Sequence, residues 1–318
     1  MLRIIFIGLL IVLGLAGCQS QSASSTKVVV PNSQIERFHS QHIGDYKVTI
    51  YAPNKPAPKD GWPIIYLLDG DSYFLTAVNI VTSQSCDRCN IQEGIIVAID
   101  YYDQTRRGQD YLPKPDKLLL EVLPNNQVNF IENYGGADAF WHFISQELKP
   151  AMEKRFVINR HKQAIFGHSY GGLFTLYAWL TKPAIFDTYA ISSPSMWFSG
   201  GFIFNPLAQY IQQNANKPLT QPVNVLLSVG GSEQSLIAAE KNLPPAKQKQ
   251  LLQHRQHRKM VDYATELFSK LKHANIENLR LNYVIYPQQS HKTAAVIALQ
   301  DALQSSFSIN DSNQSNLN

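Results

Sequence analysis

Cysteine is scarce in this chain of 318 residues: there are three, and Cys18 directly follows an N-terminal apolar run. The remaining pair, Cys86 and Cys89, is too small for a disulfide-built scaffold, and no further ligands sit nearby to complete a zinc site. Charge is sparse as well. Charged residues make up 16% of the chain, against roughly 25% in an average soluble protein. The net charge of +4 is mild and spread along the sequence, which gives no case for nucleic-acid binding. No internal repeat is visible. His39, His42, His142, His161 and His273 show no metal-ligand spacing and read as surface or satisfied polar groups. A bilayer-length apolar run is also missing, because Ile4–Leu15 is too short to span comfortably.

That short run has another meaning. Arg3 supplies a positive start, Ile4–Leu15 an apolar middle, and Leu15-Ala16-Gly17-Cys18 matches the lipobox of bacterial lipoproteins. Residues 1–17 are therefore expected to be a cleaved signal, with Cys18 the lipidated first residue of the mature chain and the membrane a partner through its acyl groups. Residues 18–34 read as a flexible tether, rich in Ser and Gln, and residues 307–318 as a disordered polar tail. Gln19 rather than Asp after Cys18 favours the periplasmic side of the outer membrane under the enterobacterial sorting rule. In that oxidising compartment Cys86-Asp87-Arg88-Cys89 is expected to close a short disulfide loop.

Between the ends lie about 280 residues, ample for one large α/β domain at 35–306. Pro63–Leu68 and Gly94–Ile99 are continuous apolar runs, as in strands covered on both faces. Tyr46–Tyr51 alternates and reads as a half-buried early strand ending at Pro53. Further strands are predicted at Lys162–Phe166, Thr188–Ser192, Val223–Ser228 and Leu279–Ile285, and helices at Ala137–Met152 and Thr293–Leu303. Repeated βα units imply a mostly parallel central sheet flanked by helices on both faces, with sites at the strand C-termini.

The most informative stretch is Gly167-His168-Ser169-Tyr170-Gly171, a G-x-S-x-G set between a short apolar strand and an apolar helix. Such a turn lifts a serine hydroxyl above the sheet, although the bare pattern also occurs in inert glycine-rich turns. Ser169 is the candidate nucleophile. In the chain order of α/β-hydrolases an acid and then a histidine follow. His291 lies just past the last predicted strand and is the candidate base. Glu233, in Gly230-Gly231-Ser232-Glu233, is the candidate acid, with Glu240 or a Ser-His dyad as alternatives. Oxyanion donors are expected at the Tyr170 amide and at Asp71 in the loop Asp69-Gly70-Asp71-Ser72, with Gly70 as the alternative. His168, inside the elbow, reads as a packing residue. This chemistry calls for neither a metal nor an organic cofactor.

Four motifs together resemble the esterase D-like branch of the α/β-hydrolases: Tyr66-Leu67-Leu68-Asp69-Gly70-Asp71, Gly135-Gly136-Ala137-Asp138-Ala139-Phe140, the Ser169 elbow, and Ser193-Pro194-Ser195-Met196-Trp197. That branch includes enterochelin esterases, S-formylglutathione hydrolase and mycolyltransferases, and the nearest likeness is to trilactone siderophore hydrolases of the salmochelin type. The likeness runs from about Arg37 to Leu303. It implies a serine carboxylesterase with a small-molecule ester substrate, Ser169 and His291 as the catalytic pair, Asp71 and Tyr170 as oxyanion donors, and Arg107 near the substrate. From the residues alone, Arg106 and Arg107 are two adjacent arginines in a loop, as readily a solvated pair. The basic stretch within Leu236–His273 (Lys247, Lys249, Arg255, Arg258, Lys259) is either part of a lid or a solvated helix face. Acetylated or feruloylated polysaccharides are the alternative substrates, and a ligand-holding lipoprotein on a hydrolase scaffold is the alternative class.

Overall fold

The computed structural model describes residues 29–309, apart from 87, 124 and 132; the expected signal, Cys18 and most of the tether lie outside the described residues. Among the described residues no helix is long and apolar enough to cross a membrane. The strands are β1 (Ser33–Ser40), β2 (Gly44–Tyr51), β3 (Trp62–Leu68), β4 (Ile95–Asp100), β5 (Glu121–Val122), β6 (Val128–Asn129), β7 (Ile158–His168), β8 (Thr188–Ser192), β9 (Pro218–Gly230) and β10 (Glu277–Tyr286). The helices are α1 (Gly70–Gln84), α2 (Arg107–Tyr111), α3 (Ala137–His142), α4 (Lys149–Arg155), α5 (Tyr170–Thr181), α6 (Phe204–Asn214), α7 (Pro245–Arg258), α8 (Met260–His273) and α9 (His291–Ser306).

Eight strands form one sheet in the order β1-β2-β4-β3-β7-β8-β9-β10, while β5 and β6 pair apart from it as a small hairpin. From β4 to β10 every neighbour is parallel; only the β1–β2 and β2–β4 pairings are antiparallel. This is the expected α/β-hydrolase architecture. Strand parity divides the core. Ile64, Tyr66, Val97, Ile165, Ile191 and Val225 share a cluster with Phe140, Leu173, Leu207 and Leu267, from the helices of one face. The intervening Ile65, Leu67, Ile96, Ala98 and Phe166 are equally buried, and α1 and α9 pack together over β3. Two covered faces explain why β3 has no exposed residue in seven positions.

Some boundaries differ from the sequence reading. β2 is more than half-buried: α1 packs against it, and Thr49 and Tyr51 are covered as well as Val48 and Ile50. The tether ends before Ser33, which begins β1. At the other end Phe307 is fully buried, Ser308 bridges to Ile91, and the Ile309 amide donates to the Asn90 carbonyl. The folded chain therefore continues past 306, because Phe307 fills a core position. The expected helix Ala137–Met152 is helical throughout but contains a π turn at Phe143–Leu148. Pro150 lacks an N–H and its ring crowds the carbonyl four residues back, and the wider turn relieves that crowding. Cys86 and Cys89 form a disulfide just after α1.

Candidate active site

Ser169 sits between β7 and α5 at φ 59° and ψ −116°, a conformation that L-residues adopt at a cost. The glycines around it are sterically required. A Cβ on Gly167 would come within 2.1 Å of the Gly171 carbonyl oxygen, and one on Gly172 within 2.6 Å of the Ser192 carbonyl oxygen. The Ser169 amide donates to the Ser192 carbonyl (3.0 Å), which pins the turn to β8. The Ser169 hydroxyl lies 3.2 Å from that of Ser195, and no hydrogen bond joins it to His291.

His291 is the first residue of α9, held there by a capping box between Ser290 and Thr293. Its Nδ1 is 2.6 Å from Glu233 Oε2, and the Glu233 side chain is 1% exposed. The other carboxylate oxygen accepts from the Gly230 amide (2.7 Å) and the Ser193 hydroxyl (2.6 Å). A buried carboxylate with both oxygens engaged holds an imidazole in one tautomer and stabilises its protonated form. Glu240 is elsewhere: it forms a bidentate pair with Arg255 (2.6 and 2.7 Å) and caps Ile237. Of the two glutamates only Glu233 reaches His291.

His168 does more than pack. Its ring centroid is 4.5 Å from that of His291, and its Nδ1 is 3.0 Å from the Ser192 hydroxyl. Burial, reinforced by the neighbouring His291 and Arg107, holds its pKa well below the usual histidine value, so it stays neutral beside the base.

The oxyanion side departs from expectation. The Asp71 amide donates to Asp100 Oδ2 at 2.7 Å, so it can face an oxyanion only if Asp100 releases it. The Asp71 side chain pairs with Lys47. Gly70, the first residue of α1, offers an amide with no hydrogen bond to another described residue, as does Tyr170 at the start of α5. Beneath this turn Arg107 Nε and a terminal nitrogen donate to the Asp69 carboxylate (2.6 and 3.0 Å), and that same terminal nitrogen reaches the His168 carbonyl (3.2 Å). Arg107 thus ties the β3–α1 turn to the elbow and keeps one terminal nitrogen uncommitted. Arg106 is not a solvated partner either: it lies against Asp110 (3.6 Å) and over the Tyr46 ring (4.7 Å).

The basic stretch divides in two. α7 has no buried residue, yet Arg255 and Arg258 turn inward. Arg258 holds Glu121 of the β5–β6 hairpin (2.7 and 2.8 Å) and lies 4.0 Å over the Trp197 ring, itself 6.0 Å from Tyr170 beside the nucleophile. Ser193, Ser195 and Asp69 lie within the motifs quoted above but carried no assigned role, and Asp100 had no sequence signal.

The chain as a whole is similar to known esterases. The family described as "Putative esterase" matches residues 40–271. The chain belongs to this esterase family. It is 28% identical over 292 residues to the ferri-bacillibactin esterase BesA of Bacillus subtilis, covering 90% of this chain and 93% of that protein. With the siderophore triacetylfusarinine C esterase of Aspergillus fumigatus it shares 31% identity, over 77% of this chain and 83% of the other. Among solved structures, the siderophore hydrolase EstA of Aspergillus nidulans superposes with a TM-score of 0.76 at 26% identity, covering 89% and 98% of the two chains. The esterase is a carboxylic ester hydrolase with an α/β-hydrolase fold.

Proposed function

We propose that this esterase hydrolyses the lactone esters of a trilactone siderophore with Ser169 as nucleophile, His291 as base and Glu233 as acid. The observation that carries the catalytic assignment is the 2.6 Å contact between His291 and the buried Glu233, beside the strained elbow serine. The substrate class is carried by the activities named for the bacterial and fungal relatives.

In the reaction the Ser169 Oγ attacks the ester carbonyl while His291 Nε2 takes its proton. The tetrahedral oxyanion is met by the Tyr170 amide and an amide of the β3–α1 turn. Collapse expels the alcohol, which receives the proton from His291, and leaves an acyl-serine. Water activated by the same imidazole then releases the acid and restores Ser169. The Ser169–His291 hydrogen bond forms as substrate displaces the Ser195 contact, since such bonds tighten in the substrate complex. The uncommitted Arg107 nitrogen donates to a carbonyl or anionic oxygen of the substrate. Arg258 and Trp197 form a cationic, aromatic wall beside Tyr170.

The test is a hydrolysis screen of purified protein and Ser169→Ala against trilactones, feruloyl esters and acetylated sugars. Trilactone opening that Ser169→Ala abolishes is expected. Cleavage of sugar esters alone would overturn the substrate class, and turnover undiminished in Ser169→Ala would overturn the nucleophile.

The lipobox residues support an exported, lipid-anchored mature protein on the periplasmic side of the outer membrane. Cys18→Ser should then abolish incorporation of labelled fatty acid, and acylation that persists would show Cys18 to be the wrong residue.

A further inference from the structure

His42, His142 and Glu147 stand far apart in sequence or at spacings that carry no metal signature, yet the fold gathers them. One ligand atom from each lies within 4.8 Å of the others. His42 occupies the three-residue turn between β1 and β2, a loop closed by Gly44 at φ 91°. His142 ends α3, and Glu147 belongs to the π turn that follows.

That π turn bears directly on the cluster. In an α-helix, residues five apart point about 140° from one another around the axis. The i→i+5 hydrogen bonding of a π turn brings such residues nearly into line, and π turns are frequent at functional sites. Here it places Glu147 Oε1 3.9 Å from His142 Nδ1. The two imidazoles meet edge to face with centroids 5.1 Å apart.

The carboxylate is also held in place. Glu147 Oε1 accepts from the Ser40 hydroxyl (2.9 Å) and Oε2 from the Gln41 amide (3.1 Å). Metal-binding carboxylates are commonly oriented in this way, and each oxygen keeps a lone pair for a cation. Both histidines are exposed, so a metal has an entry path and the rings are free to close from their present spacing to the roughly 3.4 Å between ligands around a tetrahedral zinc ion.

We infer that His42, His142 and Glu147 form a binding site for a divalent transition-metal ion of the zinc type, with its fourth position open to water. Two imidazoles and one carboxylate suit zinc, nickel or copper and discriminate against magnesium and calcium, which take oxygen ligands. The ion would clip the β1–β2 turn to the helix behind it. None of the three residues hydrogen-bonds to Ser169, His291 or Glu233, and the site is assigned no part in ester cleavage.

The experiment is a titration of the full protein with Zn²⁺ against a chromogenic chelator, paired with thermal melts with and without the ion. One Zn²⁺ per chain is expected, with a melting rise of a few degrees. His42→Ala, His142→Ala and Glu147→Gln should each weaken binding by at least about tenfold and lose the melting shift. His39→Ala, at an exposed His39–Asp45 pair nearby, and Ser169→Ala should bind as the parent does. If Glu147→Gln melts early without metal, the two exposed histidine variants decide the matter. Absence of Zn²⁺ binding by the parent, or binding that survives the His42→Ala/His142→Ala double substitution, would overturn the site.

Discussion

The two sides of the nucleophile are built differently. On the acid–base side, β9 and β10 end in adjacent turns, and Glu233, Ser193, Gly230 and His291 lock together through short, buried hydrogen bonds. On the oxyanion side, charged groups from separate strands and helices hold the β3–α1 turn: Asp69 pairs with Arg107, Asp71 with Lys47, and the Asp71 amide donates to Asp100. The first side is preorganised as far as His291, whose bond to the Ser169 hydroxyl is still unformed. The second is cross-linked by charge, and one of its expected donors is occupied. Catalytic loss from the first should therefore come with little change in stability, whereas damage to the second should couple rate and stability.

The largest expected effect breaks the acid–base side. Glu233→Gln should lower kcat by roughly 10²–10⁴ with a smaller change in KM, because the carboxylate acts on the transition state. Glu240→Gln, which loses only the pairing with Arg255, should stay near the parent rate. Equal, mild effects in steady-state kinetics would reduce the site to a Ser-His dyad.

Arg107→Ala tests the oxyanion side. It strands the Asp69 carboxylate, whose side chain is 14% exposed, and should destabilise the fold by about 2–4 kcal/mol. It should also lower kcat, because the clamp under the elbow is lost. Asp69→Asn with Arg107→Ala should cost less than the two single changes summed, measured by denaturant unfolding. Strict additivity would show that the two residues do not act as a pair.

The smallest effect concerns His168, which borders both sides. Its folded pKa is depressed, so protons bind the unfolded chain in preference as pH falls through the unfolded value of about 6.5. Stability should be full above that pH and decline below it. His168→Gln, which keeps a polar contact to Ser192 but cannot titrate, should flatten the fall in melting temperature between pH 7.5 and 5.5. An unchanged slope would assign the acid sensitivity to other groups.

The same contrast explains what could be read from the sequence. Thr188–Ser192 was legible to the residue and β3 and β4 to within one, because burial on both faces writes continuous apolar runs. β7 and β9 instead begin four and five residues before their predicted starts, where exposed polar positions break the run. Glu233 and His291 were legible from their places after strands, since parallel topology gathers strand C-termini on one edge. β1 was not, because an edge strand with Glu36, Arg37 and an exposed Ile35 carries no apolar face. α1 was hidden by Val78, Ile80 and Val81, residues that favour strands and yet are buried in a helix. The ties from Asp69 to Arg107 and from Glu121 to Arg258 join residues 38 and 137 positions apart, and no local pattern announces such a contact. The choice between Glu233 and Glu240 needed the position of Arg255.

His291 opens the last helix of the domain, and α9 lies across β3, β7, β8 and β9 while touching α1 near the other end of the chain. Phe307 and the bridges of Ser308 and Ile309 fasten its far end. During synthesis, Ser169 and Glu233 are made long before their partner exists. On the face shared with α1, strands β7, β8 and β9 stay uncovered until α9 leaves the ribosome. A chain interrupted before residue 291 lacks both His291 and the helix that covers β7, β8 and β9, so the carboxylate–histidine pair and the closed core arrive together.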